Sequence, residues 1–260
     1  MSDKYKQDVL KTILSHLEPM PDMLAAWEGG SAATKTKDQY SDIDLCLLAT
    51  APLQDVLDCV EKSLHSFHVT DVWKQTKSGW GEGMLQRFLM LKDAPKHFFV
   101  DVAVFDLSAV KLMNDFLEVE RHGDVIVHFD KNNLIKPGYT DADALFKRQQ
   151  VRLNEIAQSF PFYKTLVLKE IDRGQAIDAM SFYQTGMLRP LVEVLGMIHR
   201  PYKFDFGLRY VHKHFPADVQ KMVQDLTYVS DLADLSKKVI KLEEVFTEAL
   251  KKAQAKKSLT

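Results

Sequence analysis

The chain has 260 residues, of which 46% are hydrophobic and 27% charged, with a formal net charge of -2. That length fits one large domain or two smaller ones, and the apolar fraction is enough for a sizeable core. The near-zero net charge excludes the global basic field of a general nucleic-acid binder, so no nucleic-acid partner is expected.

The opening MSDKYKQDVLKTILSHL is charged and amphipathic, with no signal-peptide core. No apolar run approaches the ~20 residues that cross a bilayer, so no membrane partner is expected and a cytoplasmic location is. The two cysteines, Cys46 in an apolar strand and Cys59 in an amphipathic helix, read as buried thiols in a reducing compartment.

Val9, Leu10, Ile13, Leu14 and Leu17 recur at helical spacing, so residues 4–18 form an amphipathic helix that Pro19 and Pro21 end. Met23 to Trp27 is a short buried strand running into a Gly29-Gly30-Ser31 turn. Residues 32–38, small or polar, make a short helix and loop. A second strand covers 42–49, and a helix over 52–66 turns Val56, Leu57, Val60 and Leu64 inward. Three strand-like runs follow at 68–76, 84–92 and 97–105. The KSGWGEG link between the first two has the glycine content of a hairpin loop. Trp80 at its tip either touches a ligand or packs back on the sheet. Residues 107–119 read as helix, and Asp124 to Phe129 as a last strand closing on 130–133.

Past Lys136-Pro137-Gly138 the strand signals stop. Helical periodicity then runs through 141–158, 161–172, 175–197, 207–214, 216–228 and 231–255. Strands and helices mixed first, then helices alone, is an α+β pattern of two domains, 1–137 and 138–260.

Chemistry concentrates between Trp27 and Ala49. Side chains two apart on a strand share a face, so Asp42 and Asp44 lie side by side while Ile43 and Leu45 turn into the core. Two carboxylates so placed repel each other unless a cation sits between them, and a divalent ion bound by oxygen, such as Mg²⁺, is the economical choice. Gly30-Ser31 offers small residues and backbone N–H groups that can hold a phosphate. Asp101, the third strand-borne acid, interrupts the apolar run 97–105, where an unpaired carboxylate is costly. If that strand lies beside the Asp42/Asp44 strand, three carboxylates converge as a ligand set for one or two Mg²⁺ carrying a nucleoside triphosphate.

These residues resemble the nucleotidyltransferase superfamily with the polymerase-beta-type fold. Its signature is an apolar strand, Gly-Ser, about a dozen residues, Asp-x-(Asp or Glu) between apolar residues, and a third acid on a later strand. Gly30-Ser31, Asp42-Ile43-Asp44 and Asp101 match it, and the string from Asp38 to Asp44 is similar to the aminoglycoside and lincosamide nucleotidyltransferases. The strand and turn at 124–133, and a helical C-terminal half carrying Lys169 and Arg173-Gly174, are similar to the same branch. Many members carry an Arg shortly after Gly-Ser; here Ala32-Ala33-Thr34 stands there, and Lys35 and Lys37 are the nearest cations.

The resemblance implies an N-terminal nucleotidyltransferase fold, a mixed sheet with flanking helices, followed by an all-helical substrate domain. It implies transfer of a nucleoside monophosphate, most often AMP from ATP, to a hydroxyl of a small molecule, an aminoglycoside- or lincosamide-like antibiotic among them. Asp42 and Asp44 would hold Mg²⁺, and Asp101 would complete the metal site or take the proton of the attacking hydroxyl. Gly30, Ser31, Lys35 and Ser41 would bind the nucleotide, and Glu170 or Glu193 would be the alternative base. Trp80, Tyr163 and Tyr183 would contact an acceptor lying between the domains. Two other readings compete: a protein-modifying enzyme of the antitoxin type, which adds AMP to a toxin, and a non-catalytic nucleotide-binding module. His212 and His214, two apart on a helix, face different ways and read as surface histidines. A monomer or homodimer is expected.

Overall fold

The computed structural model describes residues 2–30, 38–77 and 79–259. The chain divides into two compact units, Met1–Tyr139 and Thr140–Thr260. The first is built on a mixed six-stranded sheet and the second is helical, which is the α+β class expected from the sequence.

Helix α1 (Ser2–Leu17) leads into β1 (Met23–Glu28), followed by β2 (Ile43–Ala49) and α2 (Leu53–Ser63). β3 (Val69–Lys74) and β4 (Met84–Leu91) form the hairpin that the glycine-rich link predicts. β5 (Val100–Asp106), α3 (Val110–Asp115) and β6 (Ile126–Asp130) complete the unit. The sheet order is β3-β4-β5-β2-β1-β6, with β2 and β5 parallel and the other neighbours antiparallel.

Strand alternation gives the sheet two different faces. Ile43, Leu45, Leu47, Val100, Val102, Val104 and Leu89 pack against Val9, Ile13 and Leu17 of α1 and Val56, Leu57 and Val60 of α2. On the other face Trp27, Leu48, Ala103 and Phe105 pack against Met113, Leu117 and Ile135. Where a helix over 107–119 was expected, a 3-10 turn over Leu107–Ala109 precedes α3, and the strand expected over 97–105 starts only at Val100.

The helical unit contains α4 (Ala142–Asp172), α5 (Ala176–Tyr183), α6 (Arg189–His199), α7 (Ala217–Thr227) and α8 (Leu232–Gln254). Asp141 and Asp231 cap α4 and α8 by accepting from the N–H groups of Ala144 (2.9 Å) and Asp234 (2.8 Å). Pro161 does not end the first of these, contrary to the separate helices expected at 141–158 and 161–172; α4 continues past it. An interior proline costs about 3 kcal/mol. Burial of Ile156 and Phe160 before it and Val167 after it, each contributing roughly 1.5–3 kcal/mol, offsets that cost.

Residues 175–197, expected as one helical stretch, carry a local irregularity. The stretch is helical from Ala176 to His199, with a π turn over Gln184–Leu188 set between α5 and α6. Gly186 in that turn lies against Tyr163, where an added Cβ would sit 2.0 Å from ring carbons, so the aromatic ring occupies the place of a side chain. Residues 207–214 keep only a single helical turn, Val211–His214.

Candidate functional site

Asp44 sits on β2 and Asp101 on β5, and the parallel register makes them direct partners. Their side chains leave the same face, the one that also bears Cys46 and Ala103. Asp42, one residue ahead of β2, accepts a hydrogen bond at Oδ1 from the backbone N–H of Phe99 (3.0 Å). The two strand acids are thus brought together, and Asp42 is tied to the chain leading into β5.

Each acid has a dedicated support. Gly29 N–H donates to the Asp44 carbonyl (3.2 Å), and Gly30 follows with φ +61°. A Cβ on Gly30 would lie 2.1 Å from Asp44 Oδ2, so glycine is required both by the backbone angle and by the carboxylate pressed against it. Gln86, on β4, donates its amide to both oxygens of Asp101, at 3.0 and 3.2 Å. Sequence reasoning missed Gln86; the signal available was a polar Gln-Arg pair inside the apolar run Met84–Leu91.

Lys6 was missed too. It belongs to α1, is 2% exposed, and its ammonium donates to the Ser41 carbonyl, next to Asp42. Burial raises the Asp42 carboxyl above its ordinary range; the Phe99 N–H opposes this, Asp44 adds to it, and Lys6 draws it back. Burial, and after it the charges of Asp101 and Asp44, push the Cys46 thiol up, which leaves it inert as a nucleophile.

Before Asp42 the chain makes a polar turn. Asp38 Oδ1 accepts from the Tyr40 N–H (2.9 Å) and from the Ser41 hydroxyl (3.1 Å). Those bonds hold the Asp38 carboxyl below its usual range. The Ser41 hydroxyl, expected to serve the nucleotide, is engaged in this turn. Ser31, Lys35 and Lys37, with the segment between Gly30 and Asp38, lie outside the described residues.

The donor set suits a hard divalent cation: three carboxylates, two in register, with the Asp42 and Asp44 charges opposing each other. Among the described residues, no three His, Cys, Asp or Glu side chains are gathered tightly enough to enclose an ion.

Of the other expected residues, Tyr183 is wholly buried and donates to the Leu226 carbonyl (2.9 Å), so it is a core residue and not an acceptor contact. Trp80 is exposed and lies edge-on to Phe116 at 5.4 Å. Glu170 pairs with Arg173 at 2.9 Å, and Glu193 is gripped by Arg152 at 2.7 Å, so both alternative bases are held in ion pairs inside the helical unit. Lys169 and Arg173 line an open hollow of about 520 Å³ with Thr165, Leu168 and Asp172.

No protein-family model matches the chain, and no curated protein sequence does. Among solved structures, the chain is similar to a nucleotidyltransferase-like protein from Exiguobacterium sibiricum 255-15, at 12% identity and a TM-score of 0.37, over 96% of this chain and 78% of that one. It is similar to an aminoglycoside 6-adenyltransferase from Bacillus subtilis, at 11% identity and a TM-score of 0.35, over 97% of this chain and 92% of the other. The third is a spectinomycin adenyltransferase from Enterococcus faecialis, solved with ATP and spectinomycin, at 10% identity and a TM-score of 0.34, over 96% and 99% of the two chains.

Proposed function

We propose that the chain is a Mg²⁺-dependent nucleotidyltransferase that moves a nucleoside monophosphate, AMP from ATP, onto a hydroxyl of a small molecule such as an aminoglycoside- or lincosamide-like antibiotic. In this reading residues 1–137 are the nucleotidyltransferase domain and 138–260 the substrate domain. The observation that carries it is the pairing of Asp44 with Asp101, Gly30 packed on one acid and Gln86 on the other.

Asp42, Asp44 and Asp101 would hold the Mg²⁺, which when bound neutralises charge on the triphosphate and on the departing pyrophosphate. The backbone around Gly30, with Ser31 and Lys35, would cradle the phosphates. The acceptor oxygen forms a bond to the α-phosphorus as the α–β bridge breaks, and pyrophosphate leaves. Asp101, which accepts from the Gln86 amide, would complete the metal site or take the proton of the attacking hydroxyl. Asp42 keeps its orientation through the Phe99 N–H.

The test is incubation with each labelled nucleoside triphosphate, Mg²⁺ and a panel of aminoglycosides and lincosamides, following pyrophosphate release. Release is expected with at least one pair and lost in Asp44→Asn and Asp101→Asn. Full activity in either variant would refute the role of these acids.

A further inference from the structure

Asp42 is oriented by two peptide groups, and two successive residues of α1 reach both. The first peptide joins Ser41 to Asp42, and its carbonyl accepts from the Lys6 ammonium. A peptide group is planar, so fixing that carbonyl fixes the plane from which the Asp42 Cα departs. The second joins Phe98 to Phe99, and its N–H donates to Asp42 Oδ1 at 3.0 Å. The Phe98 ring lies 5.8 Å from the Lys6 ammonium and meets the Tyr5 ring edge-on at 5.9 Å. Tyr5 is tied down in turn, donating its hydroxyl to the Lys92 carbonyl at 3.3 Å and meeting Phe67 edge-on at 5.6 Å.

Tyr5 and Lys6 thus hold the segments that lead into the two strands bearing Asp44 and Asp101. With Oδ1 bonded to Phe99, the direction of Asp42 Oδ2 follows from the same two peptides. The choice of a cation for this place is informative. Lys6 is 2% exposed, and burying an ammonium costs several kcal/mol. Val9 and Ile13 on the same stripe of α1 fill their places with aliphatic side chains alone, so packing does not require a lysine here. What Lys6 adds over such a residue is a donor for the Ser41 carbonyl and a positive charge that Asp42 feels.

We propose that Lys6 is a positioning residue, whose bond to the Ser41 carbonyl aims Asp42 at a bound divalent cation. That there is a cation to aim at rests on the nucleotidyl-transfer reading. The donor and the charge of Lys6 act on metal binding with opposite signs. A positive charge near the site repels a metal ion, so charge alone would make Lys6 a hindrance. A grip on the peptide that carries a ligand makes it a help, as partners of metal ligands are.

The test is calorimetric titration of the full chain with the Mg²⁺ complex of α,β-methylene-ATP, which is not cleaved at the α–β bridge and so needs no turnover. Wild type is expected to bind, Lys6→Met roughly 10–100-fold more weakly, and Lys6→Arg, which keeps a donor for the Ser41 carbonyl, with most of the affinity restored. Titration of the same nucleotide in EDTA is expected to give equal results for all three proteins, which a general loosening of the fold would not. Metal-free melts of Lys6→Met are expected within about 4 °C of wild type. Should Lys6→Met not fold, Lys6→Gln, whose arm is one atom shorter, takes its place with the same expectation. Equal or tighter binding of the Mg²⁺ complex by Lys6→Met, or binding by Lys6→Arg as weak as by Lys6→Met, would overturn the role of Lys6 and leave nucleotidyl transfer standing. A loss of equal size in EDTA would overturn it as well, reducing Lys6 to a structural residue. No binding of the Mg²⁺ complex by wild type would refute the nucleotidyl-transfer reading, and the role of Lys6 with it.

Discussion

Asp44 and Asp101 are partners on two parallel strands, each buttressed from its outer side: Asp44 by the bare backbone of Gly30, Asp101 by the amide of Gln86. The pair is a like-charged couple that the fold holds still from both flanks. Asp42 feels the Asp44 charge as well, and like charges held close together favour a cation between them.

Gly30 is the sharpest point of that arrangement. Gly30→Ala places a methyl 2.1 Å from Asp44 Oδ2 at φ +61°. The left-handed backbone alone costs an L side chain roughly 1–2 kcal/mol, and the clash moves the carboxylate. The expected outcome is a modest fall in Tm and a 10–100-fold weaker affinity for Mg²⁺–ATP, on the order of losing an outer-shell support. Thermal shift against Mg²⁺–ATP concentration measures both. Unchanged affinity would mean that Gly30 does not position Asp44 for the ligand.

Asp42 ties stability to function with opposite signs. Its unfolded carboxyl titrates near about 3.9, and burial raises it in the fold. The stability linked to this group is therefore fully present below the unfolded value and lost as pH rises through the raised folded value. Asp42→Asn removes that loss and keeps an Oδ1 to accept from Phe99. Metal-free, the variant is expected to melt roughly 1–3 °C above wild type at neutral pH, with the gap closing below about pH 4. With Mg²⁺–ATP the order reverses, because only wild type gains from the ligand. Melts from acid to neutral pH, with and without Mg²⁺–ATP, decide it; a variant less stable than wild type at neutral pH would show that Asp42 is not under strain.

Local periodicity made much of this readable from the sequence. The period-two pattern from Asp42 to Ala49 and the acid inside the 97–105 run pointed to Asp44 and Asp101 on strands, with Asp42 just ahead of the first, before any pairing was known. Which strands are neighbours is a long-range property, so the Asp44–Asp101 register was not legible. Lys6 was legible and overlooked: it lies on the same helical stripe as Val9 and Ile13, where a cation is out of place. Tyr183 and the π turn after it show the reverse, a locally helical pattern whose detail is set by packing against Tyr163 and Leu226.

Arg87 gives a stability test away from the acids. It is 0% exposed, its Nη1 serves Asp58 and Glu61, and its Nε and Nη2 have no hydrogen-bond partner among the described residues. Burying a guanidinium is costly, and two orphaned donors add to that cost. Removing the charge and removing its partners should therefore differ in effect. Arg87→Met, which fills similar space without charge, is expected to change stability by no more than about 1 kcal/mol. The double variant Asp58→Asn, Glu61→Gln leaves the cation buried without its counter-charges. Both acids are partly exposed, so the expected loss is at the low end of the roughly 3–5 kcal/mol for a broken buried pair. Urea unfolding of the three proteins measures this asymmetry. A loss in Arg87→Met as large as in the double variant would mean that the guanidinium stabilises the sheet on its own account, through packing against α2.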